Sequence, residues 1–235
     1  QKMVFTKAQW ASMEHRCQQI GMTPFAFTSA VLYLCMWRYS GQQDLTFGSA
    51  FANRNWRDSH GTLGMLVNTL VLRQAMDSTQ CVSDFLAETQ RVIDEAQDNQ
   101  ELPFTKIVEA LNPDRSSVSN PFFNVLLGFH DTPIDVDAIP DLDWYKDETM
   151  ISETSKFDLD CLVVPRGESF NQDGEVHFLW EYRSDVYSPE EIAVFLESFH
   201  GLFLQLSESY ESMASQPLSS VSVITPNQSK CLVED

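Results

Sequence analysis

Between Thr23-Pro24 and Gly41 the chain runs Phe25-Ala-Phe-Thr-Ser-Ala-Val-Leu-Tyr-Leu-Cys-Met-Trp-Arg-Tyr39-Ser40, a helical stretch apolar on nearly every face. A surface helix keeps a polar side toward water, so a helix without one has to be enclosed. Thr23 is placed to cap its start, with Pro24 in the first turn and Gly41 where a left-handed residue ends it. Enclosing such a helix requires a sheet below it and further helices beside it, which points to a layered fold. The 235 residues suffice for this, since 43% are hydrophobic and 21% charged. A chain of that length buries roughly 70% of the surface its unfolded form exposes, enough for a core without disulfide staples.

The remaining elements follow from periodicity and punctuation. Val4-Phe5-Thr6 reads as a short strand, and Thr6 with Gln9 forms a capping box for a helix carrying Trp10, Met13, Cys17 and Ile20, ended by Gly21. Asp44 to Ala52 is β-like, with Gly48 marking a bulge or a close backbone approach. A polar loop, Asn53 to Thr62, leads to a strand over Leu66 to Arg73. An amphipathic helix spans about Cys81 to Gln97, with Phe85, Leu86, Val92, Ile93 and Ala96 on one face. Pro103 opens a short helix to Leu111, and Phe104 is expected to plug the core. Phe122 to Phe129 reads as a strand; Asp131 to Ser155 is an acidic excursion. Phe157 to Val164 and Val176 to Tyr182 read as a hairpin. Ser188-Pro189-Glu190-Glu191 caps a last helix over about 189 to 211, and the Ser-rich stretch from Pro217 reads as linker-like. The expected architecture is an α/β two-layer sandwich, a mixed β-sheet packed by helices, with no domain break before about residue 217.

Charge narrows the function classes. Fifteen Lys and Arg stand against 34 Asp and Glu, a formal net charge of −19. Nucleic-acid backbones and anionic membrane surfaces both call for clustered cations, so neither is an expected partner. No run is long and apolar enough to predict a membrane span. The start has no signal-peptide layout, and the lack of an initiator Met leaves open that Gln1 is a cut point. Cys17, Cys35, Cys81, Cys161 and Cys231 are odd in number and include no CxxC pair, which fits a cytoplasmic setting and structural thiols. The five histidines show no metal-ligand spacing, and no metal site is expected.

Searches for GxGxxG, GxxxxGK[ST], GxSxG and HExxH all fail. Asp158 and Asp160 alternate along a strand and share a face; the pattern fits acid/base chemistry or, more simply, a solvent-facing strand edge. His130-Asp131, after a strand, reads as structural.

Longer patterns carry more. Thr23-Pro24-Phe25, then Arg38-Tyr39-Ser40-Gly41-Gln42-Gln43-Asp44, Phe47-Gly48 and Ala52-Asn53-Arg54 resemble a run found in condensation domains of nonribosomal peptide synthetases. Gly64 to Arg73 (GMLVNTLVLR) resembles the family's GxFVNTLVLR. Asn99-Gln100-Glu101-Leu102-Pro103-Phe104 and Lys106 to Leu111 resemble its (H/N)QDxPFEKLVEAL. Arg115 to Phe123 resembles RDxSRxPLFQ, with Ser116, Asn120 and Thr105 departing from the usual charged residues. The resemblance spans about residues 3 to 228.

That resemblance implies a chloramphenicol-acetyltransferase-like lobe. Complete condensation domains have two such lobes with a tunnel between them, and the catalytic HHxxxDG lies in the N-terminal one. No His-His pair occurs here, so residues 1–216 resemble the C-terminal lobe, and 217–235 a linker toward a following adenylation domain. No catalytic residue is assigned. The resemblance makes Asn68, Thr69, Asn53 and Arg54 tunnel or interlobe candidates, and Arg57 and Arg115 candidates for touching peptidyl carrier proteins. Asn68 is alternatively a buried residue satisfying backbone groups, and Asn53-Arg54 a loop brace. No cofactor is expected on the chain itself; phosphopantetheine arms on partner carriers are implied. Expected partners are an N-terminal lobe, an adenylation domain and the carriers. Three roles stay open: half of an amide-forming enzyme inactive alone, a naturally partial domain serving as a docking platform, or, more weakly, a stand-alone acyltransferase.

Overall fold

The computed structural model describes residues 1–59, 61–113, 120–130, 154–165 and 174–223. The enclosed helix α2 (Pro24–Ser40) lies at the centre, with Ala26 through Cys35 buried. Around it run β1 (Lys2–Phe5), α1 (Lys7–Ile20), β2 (Asp44–Phe51), β3 (Asn68–Ala75), α3 (Val82–Asp98), α4 (Phe104–Leu111), β4 (Val125–Phe129), β5 (Leu159–Val164), β6 (Val176–Tyr182), α5 (Pro189–Glu208) and α6 (Tyr210–Met213).

Local chemistry fixes the boundaries. Thr6 and Ser188 each form a reciprocal capping box, with Gln9 and with Glu191. Thr23 caps α2 through its side chain, and Gly21 and Gly41 take left-handed φ of 70° and 68°. The last long helix ends sooner than its pattern predicts: α5 stops at Glu208 and α6 restarts it after Ser209.

Among the described residues six strands form one sheet in the order β1-β6-β5-β4-β2-β3. The pairs β2/β4 and β4/β5 are parallel and the others antiparallel, so the sheet is mixed. The β2/β4 pair has a single registered couple, Gly48 with Leu126. Two β2 side chains reinforce that seam: Thr46 Oγ1 donates to Phe122 O (2.7 Å) and Ser49 Oγ to Leu127 O (2.6 Å).

Alternation along the strands sends Phe47, Leu72, Leu127, Cys161, Val163, Phe178 and Trp180 into the core shared with α1, α2, α3 and α5. The opposite face carries Val71, Leu126, Asp160, Leu162 and Leu179, all half-buried. Phe123 lies against that face over Gly48, where an added Cβ would come within 2.3 Å of its ring.

Three expectations change. β3 begins at Asn68, and residues 63–67 precede it outside the strand, with Leu63, Met65 and Val67 exposed and Leu66 half-buried. Phe104 does not plug the core, because α4 has no buried residue; its ring packs on Phe122 and Phe123 at 6.0 Å each. Asp160 is on no sheet edge, since β5 lies between β4 and β6.

The stretch from Pro217 begins as part of the folded unit. Leu218 and Val221 are buried, and Leu218 N–H donates to Gln80 O at 2.9 Å. Arg38, in the last turn of α2, donates through Nη2 to the carbonyls of Ser219 and Val221. Residues 224–235 lie outside the described residues. Among the described residues no single helix is long and apolar enough to cross a membrane.

Candidate functional site

Three of the motif segments converge where β2 ends and β3 begins. Asn68, the first residue of β3, donates through Nδ2 to Gln100 O (2.8 Å) and Leu102 O (2.7 Å), and its Oδ1 accepts from Phe104 N–H (3.1 Å). One side chain thus ties GMLVNTLVLR to NQELPF. Gln100 is buried and donates to Asn55 Oδ1 (3.2 Å) and Gln97 O (2.8 Å), which brings the segment after Ala52-Asn53-Arg54 into the same knot. Sequence reasoning singled out Asn68 but missed Gln100 and Asn55. A glutamine within a polar run gives no sign of burial; only the spacing of the motifs hints that their loops meet.

Arg54 is a loop brace. Its Nη1 donates to Ser59 O and to Thr62 O (3.0 Å), and its Nη2 to Gly64 O (3.1 Å). These charge-assisted bonds gather the carbonyls of Ser59, Thr62 and Gly64 around one guanidinium. Asn53 takes a left-handed φ of 51°, and its buried Oδ1 has no hydrogen-bond partner among the described residues. Thr69 is half-buried on the strand face opposite Asn68, and Arg57 is exposed. Arg115 lies outside the described residues, as do His60 and Asp131. His130 is exposed.

The knot presents an apolar rim to solvent. Leu63 is 100% exposed, Met65 88%, and Trp56, Val67 and Leu102 each about half. Monomeric proteins rarely display such large side chains together, and apolar patches of this kind mark interaction sites. Arg73, at the other end of β3, pairs with Asp44 (2.7 Å) in an exposed ion pair.

Next to the rim, at the C-terminal ends of β2, β4 and β5, is a cleft of about 390 Å³. Its lining includes Trp10, Glu14, Phe25, Phe51, Phe129 and Pro165, and Ala52 at its lip leads directly to Asn53. Crevices beyond the carboxyl ends of parallel strands are a usual place for ligands in open α/β sheets.

Two carboxylates flagged from sequence are kept apart. Asp158 pairs with Arg183 (3.1 Å). Asp160 faces Glu181 across the β5/β6 pair, and burial together with that neighbouring charge raises its pKa from 3.8 to about 6. The thiol of Cys17 is pushed up to about 12 by burial, so it is no nucleophile at neutral pH. Among the described residues no group of three or more His, Cys, Asp or Glu is arranged to hold a metal ion.

Fold and site together define a mixed-sheet, two-layer lobe of the chloramphenicol-acetyltransferase-like kind, with a rim built from interlocked motif loops. The condensation-domain family model matches residues 3–233, and the chain belongs to that family. It is 29% identical over 199 residues to the dimodular nonribosomal peptide synthase of Bacillus subtilis, covering 84% of this chain and 8% of that protein. It is 30% identical over 181 residues to the phosphinothricin tripeptide synthetase PhsB of Streptomyces viridochromogenes, covering 77% of this chain and 15% of PhsB. The chain therefore spans a small part of these relatives. Among solved structures, the condensation domain of the Monacolin K polyketide synthase MokA superposes with a TM-score of 0.72 at 17% identity, covering 92% of this chain and 48% of that one. The X-domain from teicoplanin biosynthesis superposes with a TM-score of 0.77 at 17% identity, covering 94% and 50%.

Proposed function

We propose that this chain is the C-terminal lobe of a nonribosomal peptide synthetase condensation domain. In the complete domain, the amine of a downstream carrier-bound aminoacyl thioester attacks the carbonyl of an upstream carrier-bound acyl thioester. An amide bond forms, the thioester bond breaks, and the upstream carrier thiol leaves with a proton. The observation that carries the reading is coverage: 92% of this chain superposes on 48% of a solved condensation domain, as one lobe of a two-lobed domain would.

The exposed rim supports it, because Leu63, Met65 and Trp56 are the kind of surface a second lobe would cover. On this reading Arg54 and Asn68 shape the interlobe wall by holding its loops, with Thr69 and Asn53 beside them. Arg57 and Arg115 are the proposed contacts to acidic carrier proteins, whose phosphopantetheine arms would deliver both substrates. This lobe's contribution is orientation, which lowers barriers by several kcal/mol when reactants are held in line. The proton-handling histidine belongs to the other lobe, so the chain alone is inactive, in a cytoplasmic assembly line continued by the adenylation domain after residues 217–235.

The test is an amide-formation assay with two loaded carriers, run on the chain alone and on a chain extended by an N-terminal lobe carrying HHxxxDG. Product from the extended chain only is expected; turnover by the chain alone would overturn the reading.

A second reading is a naturally partial, non-catalytic domain serving as a docking platform for the adenylation domain. One observation favours it: a solved X-domain that superposes with a TM-score of 0.77 is in complex with the protein OxyB. Reading the residues encoded upstream of Gln1 separates the two, and a pull-down of the adjoining adenylation domain tests the platform directly.

A further inference from the structure

We propose that the cleft at the C-terminal ends of β2, β4 and β5 binds an organic cation, an ammonium group carried on an aromatic or alkyl body. The proposal goes beyond the amide-forming reading and does not depend on it.

The walls are aromatic and continuous. Trp10 meets Phe129 at 6.4 Å between ring centres, Phe129 meets Phe25 at 5.8 Å, and Phe25 meets Phe51 at 5.7 Å. Pro24 and Pro165 add apolar surface, and the cleft volume of about 390 Å³ suits a small ligand. Among the described residues Glu14 is the one charged side chain in the lining. It is half-buried, and among the described residues it forms no ion pair. The other polar side chains there are already engaged: Ser49 donates to Leu127 O, and Thr23 Oγ1 accepts from Ala26 N–H while donating to Gln90.

Each class of ligand meets this lining differently. A neutral apolar molecule would fill the cleft and strip water from the Glu14 carboxylate without replacing it, a cost that burying an unpaired charge always carries. An anion would meet both that carboxylate and a chain of net charge −19. An ammonium group pairs with Glu14 and lies over ring faces, whose negative potential attracts cations within about 6 Å. The apolar body then contacts Phe25, Phe51 and Phe129.

The test is a titration of the full chain with phenethylammonium chloride and, separately, with its neutral isostere 2-phenylethanol, followed through the Trp10 indole N–H resonance. The ammonium is expected to bind about tenfold more tightly than the alcohol and to shift that resonance. Glu14→Gln should remove the preference, and Glu14→Lys should abolish ammonium binding while leaving the alcohol's affinity unchanged. The amide spectra of both variants confirm that they are folded, since Glu14 is on the outer part of α1. Equal affinities, no shift at Trp10, or a preference that survives Glu14→Gln would each overturn the proposal.

Discussion

Gly48 faces Phe123 across the seam where β2 meets β4, and a Cβ there would lie 2.3 Å from the ring. Gly48→Ala is therefore expected to destabilise the chain by about 1–3 kcal/mol through overpacking, read as a lower denaturant midpoint with an unchanged slope. Adding Phe123→Leu should recover part of the loss; no recovery would mean the glycine is needed for another reason. Asp160 makes a prediction of opposite sign. Its pKa is raised from 3.8 to about 6 in the folded chain, so ionisation is disfavoured there. Its stabilising contribution is full below about pH 4, declines as pH rises toward 6, and is gone above that. Asp160→Asn should therefore be more stable than the wild type at pH 7, by about 1 kcal/mol after allowing for solvent screening, with the difference vanishing at pH 4. Chemical denaturation of both proteins at the two pH values checks this. Single residues were only partly legible in the sequence. A glycine inside a strand announces a close approach, but nothing local identifies Phe123, 75 positions later, as what approaches. The Asp158/Asp160 alternation was visible, whereas the burial of Asp160 depends on strands brought in from either side.

Elements were the most legible level, because their signals are local. Capping residues, the left-handed glycines and the apolar stripes of α1, α2, α3 and α5 are set by neighbours within one or two turns. The errors fall where an element ends through tertiary contact. β3 starts at Asn68 because β2 ends opposite it at Phe51, leaving Leu63 to Val67 without a partner strand. The Ser-rich stretch after Pro217 has the composition of a linker, yet Leu218 is buried and Arg38 holds the carbonyls of Ser219 and Val221. Arg38→Ala should release this segment. The expected outcome is faster proteolysis between Pro217 and Val223 and faster amide exchange at Leu218 and Val221, with α2 still protected. Unchanged exchange at Leu218 would show that burial alone holds the segment. The arginine was visible in the RYSGQ pattern, but a basic residue in a last helical turn also serves the helix dipole, so its distant partners were not.

For the chain as a unit, the exposed rim has a measurable consequence. With Leu63, Met65 and Trp56 in water, the isolated chain should self-associate as concentration rises, and Leu63→Ser with Met65→Ser should suppress this without lowering stability. Sedimentation velocity across a concentration series reads the outcome; a strict monomer throughout would show that the rim is not sticky enough to matter. The formal charge of −19 works against close association, so the effect should strengthen as salt screens it. Residue order alone dictates that a helix without a polar face must be enclosed, which elements surround it, and which motifs mark the family. These depend on short-range periodicity and on the succession of side chains. It takes the packed fold to bring Asn55, Asn68 and Gln100 into one knot, to gather four aromatic rings and Glu14 around a cleft, and to enclose Asp160 between strands. Those are contacts between residues far apart in the chain, and packing creates them where no local pattern encodes them.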